Sequence, residues 1–294
     1  MKLIIHDTLS ATADLLRRPL EERPQALREM LAPIRELIPM PGDHVDIHHQ
    51  GGGFRVDRDD PRYLAAIEDL AGLPGEIEEE IGRALEHLKA VVPGVKHPEE
   101  LQVMFVLGDP DDEHLMRTSG GYYGMGSSPG WLYLLAWPGP GVRERIKHCA
   151  VHEFHHQVRY MNVEWNPVTV TVGEHLVAEG LAEAFVRELS GPEAMGPWSG
   201  MVTGARFDRA LELTMAAIDL EGMMHTPAYV LGDSAITRFG GEPRGIPDMA
   251  GYAVGLHLVD LYLAQSGSSA AAASVLPAAR ILTPEVRRLS VARG

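Results

Sequence analysis

The chain contains 294 residues, 45% of them hydrophobic, which is enough for a sizeable core in one large domain or two smaller ones. Its formal net charge of -15, from 26 basic and 41 acidic side chains, argues against nucleic acid as the main partner. Because it has no run of about 18 apolar residues, no signal-like start and only one cysteine, we expect a cytoplasmic protein that does not cross a membrane.

Residues 1–100 are predicted to form a mainly helical N-terminal region. Residues 2–5 read as a strand, and apolar residues then recur at helical spacing in two segments. These residues are Leu27, Met30, Leu31, Ile34, Leu37 and Ile38 in the first segment, and Ile77, Ile81, Leu85 and Leu88 in the second. Between the segments, His44, His48 and His49 have no carboxylate or cysteine pattern behind them, so we interpret this stretch as a polar loop and not as a metal site.

Residues 101–294 are predicted to form a second region that carries the functional site. Residues 101–107 and 131–137 are apolar runs typical of buried strands. The glycine-rich residues 119–130 between them lack the Gly-Lys-Ser/Thr sequence of a phosphate-binding loop. They are predicted to form either a flexible loop at the rim of a cleft or an ordinary hairpin connection.

Residues 152–156 read HEFHH, inside a segment without proline or glycine that is predicted to be one helix over residues 143–160. On a helix, His152 and His156 lie one above the other about 6 Å apart, so both rings can face one ion. Glu153 lies beside them, where zinc hydrolases have the base that activates water. His148 and His155 also lie at helical spacing from His152, but the glutamate directly after the first histidine favours the pair of His152 and His156.

A third metal ligand is predicted on a second helix, over residues 174–189. Glu179 and Glu183 lie four residues apart there, so one carboxylate can bind zinc while the other orients a ligand histidine. Their position after HEFHH favours a role at the metal over an ordinary solvated surface ridge. Gly180 would let this helix approach the HEFHH helix closely.

Other third ligands are weaker candidates. His175 lies one turn before Glu179, and Cys149 lies one turn before His152, but a helix-start histidine is commonly a surface or capping residue and a cysteine here commonly packs in the core. Arg159 and Asn162 stand where a metzincin has glycine and histidine, which excludes that class.

The rest of the chain is predicted to alternate helices with connections. An amphipathic segment at residues 205–220 precedes a loop-rich stretch at residues 226–247, which can cover a cleft. Residues 249–264 read as a helix. Residues 266–274 are rich in serine and alanine and are predicted to form a linker or a loosely ordered turn.

Two motifs resemble a known group. HEFHH followed by EGLAE at residues 179–183 resembles the gluzincin clan of zinc peptidases, and more closely the YjaZ-type family of predicted zinc-dependent proteases, a domain of unknown function. The GYAVG sequence at residues 251–255 is similar to a Gly-Tyr-x-x-Gly segment of that family. The resemblance covers roughly residues 101–264.

The resemblance implies a fold and a set of roles. The expected fold is α+β and mainly helical, a zincin-like catalytic domain with a small mixed sheet and an HExxH helix. The clan typically places an edge strand beside that helix, where an extended peptide can add by main-chain hydrogen bonds. The implied zinc ligands are His152, His156 and Glu179, with Glu153 as catalytic base and Glu183 as the acid that orients a ligand. The clan more often has aspartate where Glu183 stands.

The sequence therefore predicts a zinc-dependent peptidase acting on a peptide or protein substrate, and it does not indicate an oligomeric state. Tyr252 is the first choice to stabilise the oxyanion, with His225 and His257 as alternatives. Arg159 is expected either to pair with Glu179 or Glu183 or to act as a cation at the helix C-terminus.

Two alternatives to a peptidase remain open. The first is a non-catalytic zinc-containing protein that binds peptides or regulates a partner, and the second is a protein that uses the histidines without metal. The presence of Glu153 favours catalysis over the first, because a purely structural zinc site gains nothing from a base.

Overall fold

A computed structural model describes residues 1–35, 42–238 and 240–291. These residues form many helices and a small mixed sheet, which confirms the predicted α+β class. They pack as two units, Met1–Arg83 with Pro98–Gln157, and Ala84–His97 with Val158–Gly294. The predicted domain boundary at residue 100 stays a prediction. None of the helices in the described part of the chain is long and apolar enough to span a membrane.

The first unit contains the whole sheet, and two of its helices, α5 and α6, continue into the second unit. Its elements are β1 Lys2–His6, α1 Thr8–Leu16, α2 Arg23–Arg35, α3 His44–Gln50, α4 Pro61–Asp69, α5 Leu73–Val91, β2 Glu100–Leu107, β3 Tyr122–Met125, β4 Trp131–Ala136 and α6 Val142–Asn162. The second unit adds α7 Val172–Ser190, α8 Gly204–Ala216, α9 Asp233–Arg238, α10 Ala250–Ser266, α11 Ala270–Ala273, α12 Ala278–Ile281 and α13 Pro284–Val291.

The sheet has the strand order β1-β2-β4-β3 among the described residues. β1 and β2 pair in parallel, as do β2 and β4, and both β2 and β4 are buried along almost their whole length. Strands covered on both faces are continuously apolar, which explains why the sequence predicted them correctly. β1 was also predicted.

The edge strand β3 lies inside the glycine-rich segment that was predicted as a loop or hairpin connection. It pairs antiparallel with β4, Gly124 lying opposite Leu134. The segment is not a hairpin connection between β2 and β4, because those two strands pair in parallel. The sequence did not indicate a strand here, because Tyr122–Met125 is short and glycine weakens strand propensity.

Both predicted helical segments of the N-terminal region are helices as far as they are described. α5 buries all four apolar residues of its predicted stripe. α2 is described as far as Arg35. Leu37 and Ile38, which were assigned to the same stripe, lie outside the described residues.

The histidine-rich stretch predicted as a polar loop is helix α3, so that prediction was wrong. Asp43 caps the helix by accepting a hydrogen bond from the Val45 amide at 2.9 Å, and Arg28 binds the same carboxylate at 2.9 Å. His48 is buried, and its Nε2 lies 2.9 Å from the carbonyl oxygen of Phe54. Burial lowers the pKa of His48 to about 3, so the ring is neutral at neutral pH and packs as a core residue.

Two stretches of the second unit are more ordered than the sequence indicated. Residues 226–247 include α9 and a helical turn at Pro227–Leu231. The predicted linker at residues 266–274 contains α11, whose first amide, that of Ala270, donates to Glu188 at 2.6 Å while Ser269 caps the helix. A carboxylate from a distant part of the sequence supplies this anchor, so local composition could not reveal it.

Helices α7 and α10 touch backbone to backbone at Gly180 and Gly255. A β-carbon on Gly180 would overlap the carbonyl group of Gly255, and one on Gly255 would overlap the carbonyl oxygen of Leu176. Gly180 therefore serves the approach of α7 to α10 and not, as expected, its approach to α6. This contact also explains the second glycine of GYAVG.

A buried ion pair joins the C-terminal turn of α6 to the start of α7. The Arg159 guanidinium pairs with Glu174 and donates to the carbonyl oxygens of Ser274 at 3.1 Å and Leu276 at 2.9 Å. Glu174 also accepts from the Ala278 amide at 2.7 Å. The prediction that Arg159 pairs with Glu179 or Glu183 was wrong, because Glu174 lies nearer the start of α7, where the end of α6 reaches it.

We predict that Gly255→Ala destabilises the protein by about 1–3 kcal/mol, because the added methyl group overfills a backbone contact. Gly82→Ala is the matched control, since Gly82 lies in α5 with nothing within 4 Å of the position of its β-carbon. The control is expected to stabilise the protein by about 0.5–1 kcal/mol through helix propensity. Urea unfolding measures both, and equal effects would contradict the close contact.

We predict that Arg159→Met lowers the free energy of unfolding by about 3–5 kcal/mol, because it leaves the Glu174 carboxylate buried without its counter-charge. Arg159→Lys keeps the charge but lacks the planar fork that reaches three acceptors, so we expect a smaller loss. In the double variant Arg159→Met with Glu174→Gln, part of the stability returns. Purely additive losses in this double-mutant cycle would show that the pair is not coupled.

Candidate metal site

The sequence of α6 explains both its helical form and its burial. Gly141, at φ 74°, ends the preceding turn, and no proline or glycine follows within the helix. The side chains of Ile146, Ala150, Phe154 and Val158 are fully buried. This apolar stripe packs the helix in the core, and the histidines of HEFHH are buried together with it.

The two predicted histidine ligands face each other on α6. His152 and His156 are 3% and 5% exposed, and their Nε2 atoms lie 3.1 Å apart. Two nitrogens bound to one tetrahedral zinc ion at about 2.0–2.1 Å lie about 3.3 Å from each other. The observed separation is therefore close to the one that a shared zinc ion requires.

A carboxylate of α7 joins this pair. One donor atom from each of His152, His156 and Glu179 lies within 4.8 Å of the other two. Two imidazoles and one carboxylate are a common set of protein ligands for catalytic zinc, with the fourth position left for water or substrate. The three residues thus suit zinc in donor type, and the two histidine nitrogens also suit it in spacing.

The rival ligands considered from the sequence are absent from this cluster. His148, His155, His175 and Cys149 are not among its members, and the described residues form no comparable group around His44, His48 and His49. His175 packs instead edge-on against Trp165, with ring centroids 4.9 Å apart.

Glu153, the predicted base, lies against the edge strand β3. A β-carbon on Gly124 would lie 2.6 Å from Cγ of Glu153, and one on Gly126 would overlap the carbonyl oxygen of Glu153. Two glycines spaced two apart share one face of a strand, and here that face is in contact with α6. This alternation was a signal in the sequence that our predictions did not use.

The outer edge of β3 offers main-chain groups next to Glu153. The Trp137 amide donates to the Gly121 carbonyl at 2.9 Å, which fixes the phase of the antiparallel ladder. By alternation, Tyr123 and Met125 exchange hydrogen bonds with β4, while the N–H and C=O groups of Gly124 point away from β4. An extended chain can therefore pair with the sheet at Gly124.

Gln157, the residue directly after HEFHH, was not predicted to have a role. It is 4% exposed, and its side-chain amide binds the turn that connects β3 to β4. No spacing rule singles out one glutamine after a metal motif, so the sequence alone gave no signal.

Glu183 is 1% exposed and binds a segment that follows α7. Its two carboxylate oxygens accept from the Gly196 amide at 2.9 Å and from Nε1 of Trp198 at 3.0 Å. These bonds anchor Trp198, whose ring lies 5.8 Å from that of Tyr252. The predicted role of Glu183 in orienting a ligand stays a prediction.

The three candidates for oxyanion stabilisation all lie in the second unit. Tyr252 is in the first turn of α10, directly after the left-handed Met249 at φ 61° that begins the helix. His257 lies farther along α10 and packs edge-on against Phe207 at 5.4 Å. His225 ends the short helical turn Met223–His225. The choice of Tyr252 stays a prediction.

Comparison with known proteins gives the same family as the two motifs. The profile of a family described as "Predicted Zn-dependent protease (DUF2268)" matches residues 77–283, more than half of the chain. The chain is also 33% identical over 184 residues to the uncharacterized protein YjfC of Bacillus subtilis (strain 168), which covers 63% of this chain and 60% of that protein. The aligned part is thus less than two thirds of this relative. The chain belongs to the DUF2268 family of predicted zinc-dependent proteases.

Proposed function

We propose that this protein is a zinc-dependent peptidase of the gluzincin type that hydrolyses peptide bonds in a peptide or protein substrate. The observation that carries the proposal is the cluster of His152, His156 and Glu179, with the Nε2 atoms of the histidines 3.1 Å apart and Glu153 in the same helix turn. The family description supports zinc dependence and proteolysis at a coarse level.

The two histidines and Glu179 are proposed as the protein's zinc ligands. Zinc, when bound by them, supplies a Lewis acid that polarises the scissile carbonyl and makes a water molecule easier to deprotonate. The two imidazoles on α6 and the carboxylate on α7 would hold the ion, and both histidine rings are buried.

Glu153 is proposed as the general base and then the general acid. Its carboxylate takes a proton from the attacking water and returns that proton to the amine nitrogen as the carbon–nitrogen bond breaks. Its backbone is held by the contact with Gly126, and its side chain by the contact with Gly124. We assign Tyr252 to the oxyanion and Glu183 to ligand orientation on the resemblance to the clan alone.

The main-chain groups of Gly124, which point away from β4, support an extended peptide as the substrate. A peptide that pairs with Gly124 gains main-chain hydrogen bonds and runs past Glu153. This mode of binding uses hydrogen bonds to the peptide main chain, so the substrate does not need a particular side chain at every position. The formal charge of -15 makes nucleic acid an unsuitable partner, and the single cysteine suits the reducing cytoplasm that we propose as the location.

We predict that His156→Ala protein, purified without added zinc, retains less than about a tenth of the zinc bound by the wild type, because one of three ligands is lost. His148→Ala is the matched control, since His148 lies on the same helix outside the cluster. Metal analysis of the two purified variants measures their zinc content. Equal zinc contents in them would overturn the ligand assignment.

We predict that Glu153→Gln keeps zinc but lowers peptide hydrolysis by about 10²–10⁴-fold, because the amide cannot accept the proton. Glu144→Gln, which changes an exposed carboxylate on the same helix, should leave hydrolysis unchanged. A proteome-derived peptide mixture digested with each protein measures activity and cleavage preference together. Full activity in Glu153→Gln would refute the assignment of Glu153 as the general base. Zinc binding without any cleavage by the wild type would support a non-catalytic peptide-binding protein.

A further inference from the structure

The side-chain amide of Gln157 is surrounded by main-chain groups of one turn. Its Nε2 lies within hydrogen-bond reach of the carbonyl oxygens of Gly126, Ser128 at 2.8 Å and Trp131 at 3.3 Å. Its Oε1 accepts from the Gly130 amide at 2.8 Å. Both amide hydrogens and the oxygen are thus used to bind the connection between β3 and β4.

The turn follows the short edge strand β3. β3 has four residues and pairs with β4 along one side only. Ser127 and Pro129, at the tip of the turn, are exposed. A buried amide that satisfies several carbonyl groups at once holds such a turn, because breaking it would leave those groups unsatisfied.

The bound turn sets the position of the substrate-pairing edge relative to the base. Gln157 binds the carbonyl oxygen of Gly126, and Gly126 is itself in contact with the backbone of Glu153. Gly124 is in contact with the Glu153 side chain. Gln157 is four residues after Glu153 on α6, so one helix carries the base and the group that holds β3 beside it.

We infer that Gln157 is a positioning residue: its amide holds β3 at the distance from Glu153 at which a paired peptide presents its scissile bond. This inference rests on the proposed function. Main-chain hydrogen bonds between β3 and a peptide are formed equally in the ground state and in the transition state. Losing their alignment therefore raises KM more than it lowers kcat.

Two substitutions test Gln157 in different ways. Gln157→Met removes the amide while keeping an unbranched side chain of similar length. Gln157→Glu keeps the shape and the acceptor for the Gly130 amide, but it turns a carboxylate oxygen towards the carbonyls of Gly126 and Ser128. The matched control is Asn162→Leu, because the Asn162 amide, in the last residue of α6, makes the same kind of bridge to the Lys96 backbone, at 3.1 Å and 2.7 Å.

The first measurement is amide hydrogen exchange across residues 122–131 in zinc-loaded protein, with bound zinc and thermal stability recorded in parallel. We expect both Gln157 variants to bind zinc as the wild type does and to exchange about 10-fold faster or more in this segment. Asn162→Leu should leave exchange there unchanged. Unchanged exchange in both Gln157 variants would overturn the inference whether or not the protein cleaves peptides.

The second measurement is kinetic and uses the peptide cleaved fastest in the digest. We expect Gln157→Met to raise KM about 10-fold with kcat within about 3-fold of the wild type. A fall in kcat with no change in KM, or an equal KM change in Asn162→Leu, would count against a positioning role. Absence of cleavage by the wild type would instead refute the proposed function, and the exchange data would still decide whether Gln157 holds β3.

Discussion

The buried pair of Arg159 and Glu174 is the interaction on which the junction between the end of α6 and the start of α7 depends. Arg159 follows HEFHH by one turn on α6, and Glu174 precedes Glu179 on α7. Glu174 occupies the third position of α7, and its amide donates to the side chain of the capping residue Thr171 at 3.1 Å. Its carboxylate binds Arg159 and the Ala278 amide. Burial lowers the pKa of the guanidinium, and the hydrogen bonds to the C-terminal segment compensate for the lost hydration.

Glycines determine how closely several elements of the chain approach one another. Gly180 and Gly255 bring two helices into backbone contact, while Gly124 and Gly126 bring a strand onto the helix that carries the base. In each case the approach is closer than any side chain would permit. The EGLAE and GYAVG motifs are therefore joined physically, because each contributes one of the two glycines at the crossing of α7 and α10.

The sequence predicted the strands and helices whose apolar residues repeat regularly, and it missed elements that a residue from a distant part of the chain holds in place. Strands β2 and β4 and helices α5, α6 and α7 were identified because their apolar residues repeat at the period of the element. α3 and α11 were missed because Arg28 and Glu188, which fix their N-terminal ends, lie elsewhere in the sequence. The cluster of His152, His156 and Glu179 was predicted from motif spacing and the clan resemblance, whereas the contacts of Gln157 and of the Arg159–Glu174 pair follow no spacing rule.

The parallel pairing of β1 with β2 has a consequence for synthesis of the protein. Lys2 and Glu100 are register partners although 98 positions separate them along the chain. At about 5–20 residues per second, β1 leaves the ribosome roughly 5–20 seconds before its neighbour exists. During that interval β1 has no strand to pair with, so closure of the sheet is delayed until β2 has emerged.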